Sequence, residues 1–141
     1  MTADPELRFA ALAVADRGHL VALAERILDA TDEVAALSVP GPATMLVQVT
    51  ESVRHQPFHL CEVVVSEASV AVRGHRGDGF VLGSDTERAV AAAVCDAAAA
   101  AGLFADDVER LVADTVAARA GDRRARAAAV AATRIDLEVL G

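Results

Sequence analysis

Residues 57–85 read PFHLCEVVVSEASVAVRGHRGDGFVLGSD, and the fold turns on this stretch. Between residues 60 and 72, Val63, Val65, Ala68, Val70 and Val72 are small or β-branched. Such residues suit a pleated strand better than a helix. The alternation slips at Glu67-Ala68, which predicts a bulge or a break into two strands there. Gly74, Gly77 and Gly79 punctuate a polar turn over residues 73–78, and Phe80, Val81 and Leu82 return as a short strand. The whole reads as a β-hairpin. Gly83-Ser84-Asp85 stops it, and Ser84 or Asp85 can cap a following helix that carries Glu87 in its first turn.

Working outward, residues 45–53 form a strand in which Met45, Val47 and Val49 alternate with Leu46, Gln48 and Thr50, and residues 54–57 turn back. Residues 33–39 are extended around Val34, Leu37 and Val39, before the breaker Pro40-Gly41-Pro42. Short links between successive strands imply an antiparallel meander. Ahead of the strands lie two helices. Asp4 caps the first, with Pro5 at its opening position and Glu6 in its first turn, and Leu7, Ala11, Leu12, Val14 and Ala15 make a stripe. Asp16-Arg17-Gly18 interrupts, and a second helix over 19–30 places Leu20, Leu23, Ala24, Ile27 and Leu28 on one face. The pair makes a helical hairpin.

Behind the hairpin, residues 85–102 form an alanine-rich helix with Ala89, Val90, Ala93, Val94 and Ala97 inward and Gly102 as its C-cap. A helix over 103–120 follows, with Phe104, Val108, Leu111, Val112 and Val116 at helical spacing. Gly121-Asp122 predicts a break, then a third C-terminal helix over 123–132. Residues 133–140, TRIDLEVL, alternate Ile135, Leu137 and Val139 with polar residues and predict a last strand returning to the sheet. The expectation is one α+β domain over residues 1–141: N-terminal helical hairpin, antiparallel meander sheet, C-terminal helices and a final strand.

Composition narrows the class. The 141 residues are 54 % apolar, but much of that is alanine; there are four phenylalanines and no Trp or Tyr. The core must be built of Val, Leu and Ala with helices packed close. A chain of this size buries roughly two-thirds of its unfolded surface, enough to fold without staples. Mean hydropathy is +0.36. Even so, the window nearest to an uncharged span of bilayer length is the alanine helix, which holds Asp96 and whose side chains insert weakly. No membrane association is expected. The start MTADPELRF lacks a basic region and an apolar signal core, so a cytoplasmic location is expected. Net charge is −8 and every base is arginine. The lack of lysine fits a GC-rich coding bias better than a dedicated arginine surface. An acidic chain with few aromatics is a poor nucleic-acid binder. Cys61 and Cys95 form no CxxC motif; two reduced buried thiols are expected, with a disulfide left open.

Several residues invite a functional reading, and each has a plainer one beside it. His55, His59 and Glu62 have a metal-ligand spacing, but that spacing converges on a helix, and Pro57 followed by a strand scatters the faces. His19 and His75 are lone surface histidines. Residues 74–83 are glycine-rich, yet match no phosphate-loop pattern, and a strand separates them from the helix. A hairpin turn explains them better. Asp85 would occupy the positive end of the next helix and so discourages an anion there. Arg76-Gly77-Asp78 is a chance adhesion tripeptide. Arg123, Arg124 and Arg126 form a basic cluster, read as a solvated helix face beside Asp122 or, functionally, as a surface for an acidic partner. Cys61 has no neighbouring base and is a poor nucleophile candidate. No cofactor or metal site and no catalytic constellation emerges.

Four stretches carry a resemblance: Leu46-Val47-Gln48-Val49; residues 57–62 running into Val65-Ser66-Glu67-Ala68-Ser69-Val70; Val81-Leu82-Gly83-Ser84-Asp85 with the helix to Asp96-Ala97; and Ala132-Thr133-Arg134-Ile135-Asp136. Over nearly the whole chain the sequence resembles the PhnG family, the G subunit of the bacterial carbon–phosphorus lyase core complex. Cys61, Glu67 and Ser84 stand where that family carries a glycine and two arginines, so the chain is a divergent member. The resemblance implies an accessory subunit in phosphonate metabolism. In the implied complex the I subunit, helped by G, H and L subunits, uses an alkylphosphonate to displace adenine from MgATP. A radical J subunit later breaks the C–P bond. The resemblance implies no catalytic residue and no cofactor on this chain. It implies subunit contacts around Phe58, Leu60, Glu62, Gly83, Asp85, Arg134 and Asp136. The partners would be the I subunit, with H and J in the same assembly; self-association of the isolated chain stays open. The alternative is a self-contained homo-oligomeric α+β enzyme or small-ligand binder, for which His55, His59, Glu62 and Arg73 are the candidate polar groups.

Overall fold

The structure, a computed structural model, describes residues 4–50 and 57–140, with side chains for 4–46 and 62–132. Its elements run α1 (Pro5–Leu12), α2 (Arg17–Ala30), β1 (Val34–Ala36), β2 (Gly41–Thr50), β3 (Pro57–Val72), β4 (His75–Leu82), α3 (Thr86–Ala100) and α4 (Ala105–Leu140). The α+β class and the opening helical hairpin are as expected. Local chemistry sets the helix starts. Asp4 caps α1, Asp16 caps α2 by accepting from the His19 N–H at 3.0 Å, and Asp85 caps α3 by accepting from the Arg88 N–H at 3.1 Å. At the end of α3, Gly102 takes φ 77°. The Leu103 N–H reaches the Ala98 carbonyl and the Gly102 N–H that of Ala99, closing the orphan carbonyls.

β3 is the axis of the sheet. One edge pairs antiparallel with β4, from Val65↔Leu82 to Val72↔His75. The other pairs with β2, from Gly41↔Glu67 to Thr50↔Pro57, and then with β1, from Val34↔Val72 to Ala36↔Val70. β2, β3 and β4 form the expected meander, while β1 lies in line with β2 across the Pro40 breaker. The register slip lies elsewhere than expected. β3 passes unbroken through Glu67-Ala68, and the shift falls between Val47 and Gln48, where Val47 faces Cys61 and Gln48 faces His59. Leu60 is therefore the extra residue of a bulge. The predicted strand tail at 51–53 and the turn with His55 lie outside the described residues.

The glycine cluster is the second correction. The turn is only Arg73-Gly74, with φ 49° and 79°, the two positive values of a tight two-residue hairpin. Gly77 and Gly79 belong to β4, on the face toward α3. A Cβ at Gly77 would overlap the backbone of Ala93 and Ala97, and one at Gly79 the carbonyl of Ala89. Ala89, Ala93 and Ala97 recur every four residues and so share one face of α3. Two glycines opposite three alanines let that helix lie flush on the sheet. Ala68, Val70, Val72 and Val81 continue the same buried layer. On its other sides α3 meets α1, α2 and α4, through Leu12, Leu20, Ile27, Val108 and Val112. Helix α3 is thus buried almost all round, which its small side chains permit.

The C-terminus is the third correction. The predicted break at Gly121-Asp122, the separate helix over 123–132 and the final strand over 133–140 are all one helix, the 36-residue α4. A glycine inside a helix costs only about 1 kcal/mol relative to alanine. The surrounding alanines and arginines are strong helix formers, so the helix runs through. Among the described side chains of α4 the last buried one is Thr115, and residues 122–132 are exposed. At 1.5 Å per residue the helix is about 54 Å long, so its second half reaches past the core. Among the described residues no helix is long and apolar enough to cross a membrane.

Candidate functional site: a strand ribbon on a polar base

β4 leaves the sheet at Leu82, opposite Val65. Beyond that point β3 has β2 on one side and, among the described residues, no strand on the other. The main contacts of β2 are with β3. Residues 44–50 and 57–64 thus form a two-stranded ribbon that continues past the helix-covered part of the sheet. Met45, Leu46, Val64 and Leu82 are exposed on or beside it, Leu46 at 56 % and Leu82 at 66 %. Glu62, exposed, pairs with Leu46. Single exposed apolar residues are ordinary; four of them around a ribbon that no further strand flanks among the described residues have the pattern of an interaction surface.

The base of the ribbon is a polar knot, in which the Nε of Arg88 is the one described buried side-chain atom without a partner. Gly83 turns the chain at φ 93°, and its N–H donates to the Val64 carbonyl at 2.7 Å. The Ser66 hydroxyl donates to the Gly83 carbonyl at 2.8 Å and accepts from the Asp85 N–H at 2.9 Å. The Asp85 carboxylate accepts from Arg17 Nε at 2.8 Å and Nη2 at 3.2 Å, besides capping α3. Arg17 also lies 3.5 Å from Glu87. The Arg17 hydrogen bonds, followed by that from the Arg88 N–H, hold the Asp85 carboxyl below its ordinary range; Asp85 in turn raises the Arg17 guanidinium. Arg88 donates to the Ala15 carbonyl at 2.7 Å. One short turn is in this way tied to β3, α2 and α3.

A second polar cluster sits at the α1 side. Arg8 Nε meets Asp96 Oδ1 at 2.6 Å, both side chains about nine-tenths buried, and Asp96 Oδ2 accepts from the Asp78 N–H at 3.0 Å. Burial pushes the Asp78 carboxyl up, but hydrogen bonds from Ser69 and Arg76 outweigh it, and the net shift is downward. A groove of about 490 Å³ lies between α2 and α4, floored by Ala22, Leu23, Leu111 and Ala118. Arg26 stands at its edge, 5.1 Å over the Phe104 ring and 3.6 Å from Asp107. His19 pairs with Asp16 at 2.9 Å, but the imidazole is 81 % exposed.

The structure brings the sequence candidates together only in part. Glu62, Gly83 and Asp85 lie on the ribbon and its base, and Phe58 and Leu60 on the β3 backbone of the same ribbon, opposite Val49 and at the bulge. Arg134 and Asp136, expected on a strand beside them, are on α4 instead. His55 is outside the described residues. Among the described residues no three His, Cys, Asp or Glu side chains gather as metal ligands would. The glycine-loop reading fails, since Gly77 and Gly79 are consumed by packing on α3. Within Arg76-Gly77-Asp78 the two charges pair with each other at 3.1 Å. Arg73 and His75 are at the hairpin turn. Cys95 is buried, and desolvation, with Asp96 nearby, pushes its thiol up to about 12, which makes it inert. Sequence reasoning passed over Arg17, Arg88 and the Arg8–Asp96 pair, whose partners lie 68 to 88 residues away. Ser66, a hydroxyl directly after the apolar run Val63-Val64-Val65, carried a visible signal.

Taken together, these features define an α+β domain with an extended ribbon, at whose base Arg17, Asp85 and Arg88 hold the chain's own elements together. A family model described as "Phosphonate metabolism protein PhnG" matches residues 6–141. The "Alpha-D-ribose 1-methylphosphonate 5-triphosphate synthase subunit PhnG" of Rhizobium meliloti (strain 1021) is 42 % identical over 130 residues, covering 89 % of this chain and 80 % of its own length. The chain belongs to the PhnG family.

Proposed function

We propose that this protein is an accessory subunit of a phosphonate-processing complex. It would support the partner that transfers the ribose triphosphate of MgATP to an alkylphosphonate with loss of adenine. Membership of the family supports the phosphonate context. The ribbon supports the accessory role: its apolar side chains are exposed, while the polar groups at its base bond within the chain, save the Arg88 Nε, which is buried out of reach of a substrate. A reacting site needs polar groups with spare capacity; a docking site needs exposed apolar area beside a rigid support. Asp85 in this reading acts indirectly, by holding the turn that sets the angle of the ribbon. The I subunit is the proposed direct partner, with H and J in the same assembly. MgATP is the co-substrate of the complex, and this chain holds none of it.

The test is co-expression with the I subunit encoded beside this chain, followed by size-exclusion chromatography. The native pair should co-elute. Leu46→Asp combined with Val64→Asp should separate the two proteins while leaving the circular dichroism of this chain unchanged. Separate elution of the native pair, with this chain well behaved by itself, refutes the reading and favours a self-contained ligand binder.

A further inference from the structure

Beyond Thr115 no described side chain of α4 is buried, and the charges that follow are unusual for this chain. Between Arg119 and Arg126 there are four arginines and one acid, a net +3 in a protein of net −8. Arg119, Arg123, Arg124 and Arg126 are all exposed and make no hydrogen bond or ion pair among the described residues. The first half of α4 has the opposite balance. Between Asp106 and Asp114 lie four acids and one arginine, a net −3. Asp106 and Asp114 are exposed and likewise unpaired among the described residues. Two segments of one helix with equal and opposite charge, 106–114 and 119–126, are complementary to those of a second copy turned end for end.

The outward face is also shaped for a second helix. Asp106, Arg110, Ala113, Ala117, Ala120 and Arg124 follow one another at alternating four- and three-residue steps. That is the spacing of a seam between two helices. The seam lies opposite Val108, Val112 and Thr115, which face the core, so it is free of the fold. Its members are exposed apart from the half-buried Ala120, and the alanines at its centre let two helix axes approach closely.

We infer that α4 pairs antiparallel with α4 of a second copy of this chain, the basic segment of each lying along the acidic segment of the other. A two-fold axis between Ala113 and Ala117 sets Ala113 of one copy beside Ala117 of the other. It also sets Asp106 of each beside Arg124 of its mate, so each contact occurs twice, as an isologous interface requires. Arg110, already bonded to Asp107 at 3.3 Å, falls beside Ala120, clear of the mate's Arg124. The occupant is a second copy because this chain itself supplies the matching charges at the matching spacing. The surface is separate from the ribbon, so this inference does not rest on the proposed function.

Sedimentation equilibrium on the isolated full chain tests it, at low salt and at 1 M salt, where the screening length falls to about 3 Å. The native chain should be a dimer at low salt, weakened at least tenfold at high salt. Arg124→Glu should weaken dimerisation at least tenfold, as should Asp106→Arg. The double variant Asp106→Arg/Arg124→Glu should restore it, because the charges are exchanged and not removed. All these positions are exposed, and unchanged circular dichroism verifies that each variant folds. A native chain that stays monomeric overturns the inference, whether or not α4 then binds an acidic partner. So does a dimer that ignores the single reversals, or one that the double reversal fails to restore.

Discussion

Replacing Asp96 by alanine tests how the helical layer is held to the sheet. The Asp96 carboxylate on α3 receives Arg8 from α1 at 2.6 Å and the Asp78 N–H from β4 at 3.0 Å. The Arg8 and Asp96 side chains are 9 % and 11 % exposed, so water cannot take over either bond. Removing one partner of a buried pair costs about 3–5 kcal/mol, because the remaining charge is stranded. The orphaned Asp78 N–H adds to it, placing the loss near the top of that range, about 4–5 kcal/mol. The unfolding entropy near 2.1 cal/mol/K per residue gives this chain about 0.3 kcal/mol per degree, so the melting temperature should fall by about 13–17 °C. With no Trp or Tyr in the sequence, far-ultraviolet circular dichroism is the natural probe. Arg8→Met/Asp96→Leu removes both charges and should recover most of the loss, short of the Asp78 hydrogen bond. A single-variant shift below about 3 °C, or a double variant no better than Asp96→Ala, would refute the buried-pair account.

Three further outcomes are expected. Gly79→Ala and Gly77→Ala should each destabilise by about 1–3 kcal/mol or more in urea titrations, because the new methyl meets α3 backbone and no flexible side chain can yield. Gly41→Ala, with open space around it, should be near neutral, and equal effects at all three sites would contradict the close-packing argument. Because the Asp85 carboxyl is depressed in the fold, its stabilisation is fully present above the unfolded value of about 3.9 and is lost as pH falls through the lower folded value. Asp85→Asn should therefore flatten the stability curve below about pH 4, and an acid limb of unchanged slope would count against the Arg17 pairing. Cys95 should resist iodoacetamide at pH 8 in the folded chain and react in urea, read by peptide mass spectrometry; rapid labelling of the native protein would contradict its burial.

Much of the molecule was legible because its signals are local. Asp4-Pro5, Asp85 and Gly102 act within a turn of their own positions, and the β-branched run of β3 declares a strand wherever it is placed. Of the ribbon and its base, Glu62, Gly83 and Asp85 could be read, since they lie in the strand and turn that the local pattern declares. TRIDLEVL misled because eight alternating residues are too few to outvote the helix that enters them. Helix growth is cooperative, and an alanine-rich helix already formed extends at little cost. Gly77 and Gly79 misled for the opposite reason. Their neighbours in sequence suggest a turn, while their purpose lies in Ala89, Ala93 and Ala97 pressing from above.

The sequence alone determined the class, the order of most elements, the capping chemistry and the family. Each of these depends on residues a few positions apart or on the overall run of the pattern. Only the tertiary structure decided that two glycines make a bed for α3. It also decided that Asp96 and Asp85 each tie three elements together, and that β3 outruns β4 to leave a ribbon exposed. Those facts depend on contacts across 68 and 88 residues of chain, such as Arg17–Asp85 and Arg8–Asp96, for which no local pattern provides a cue.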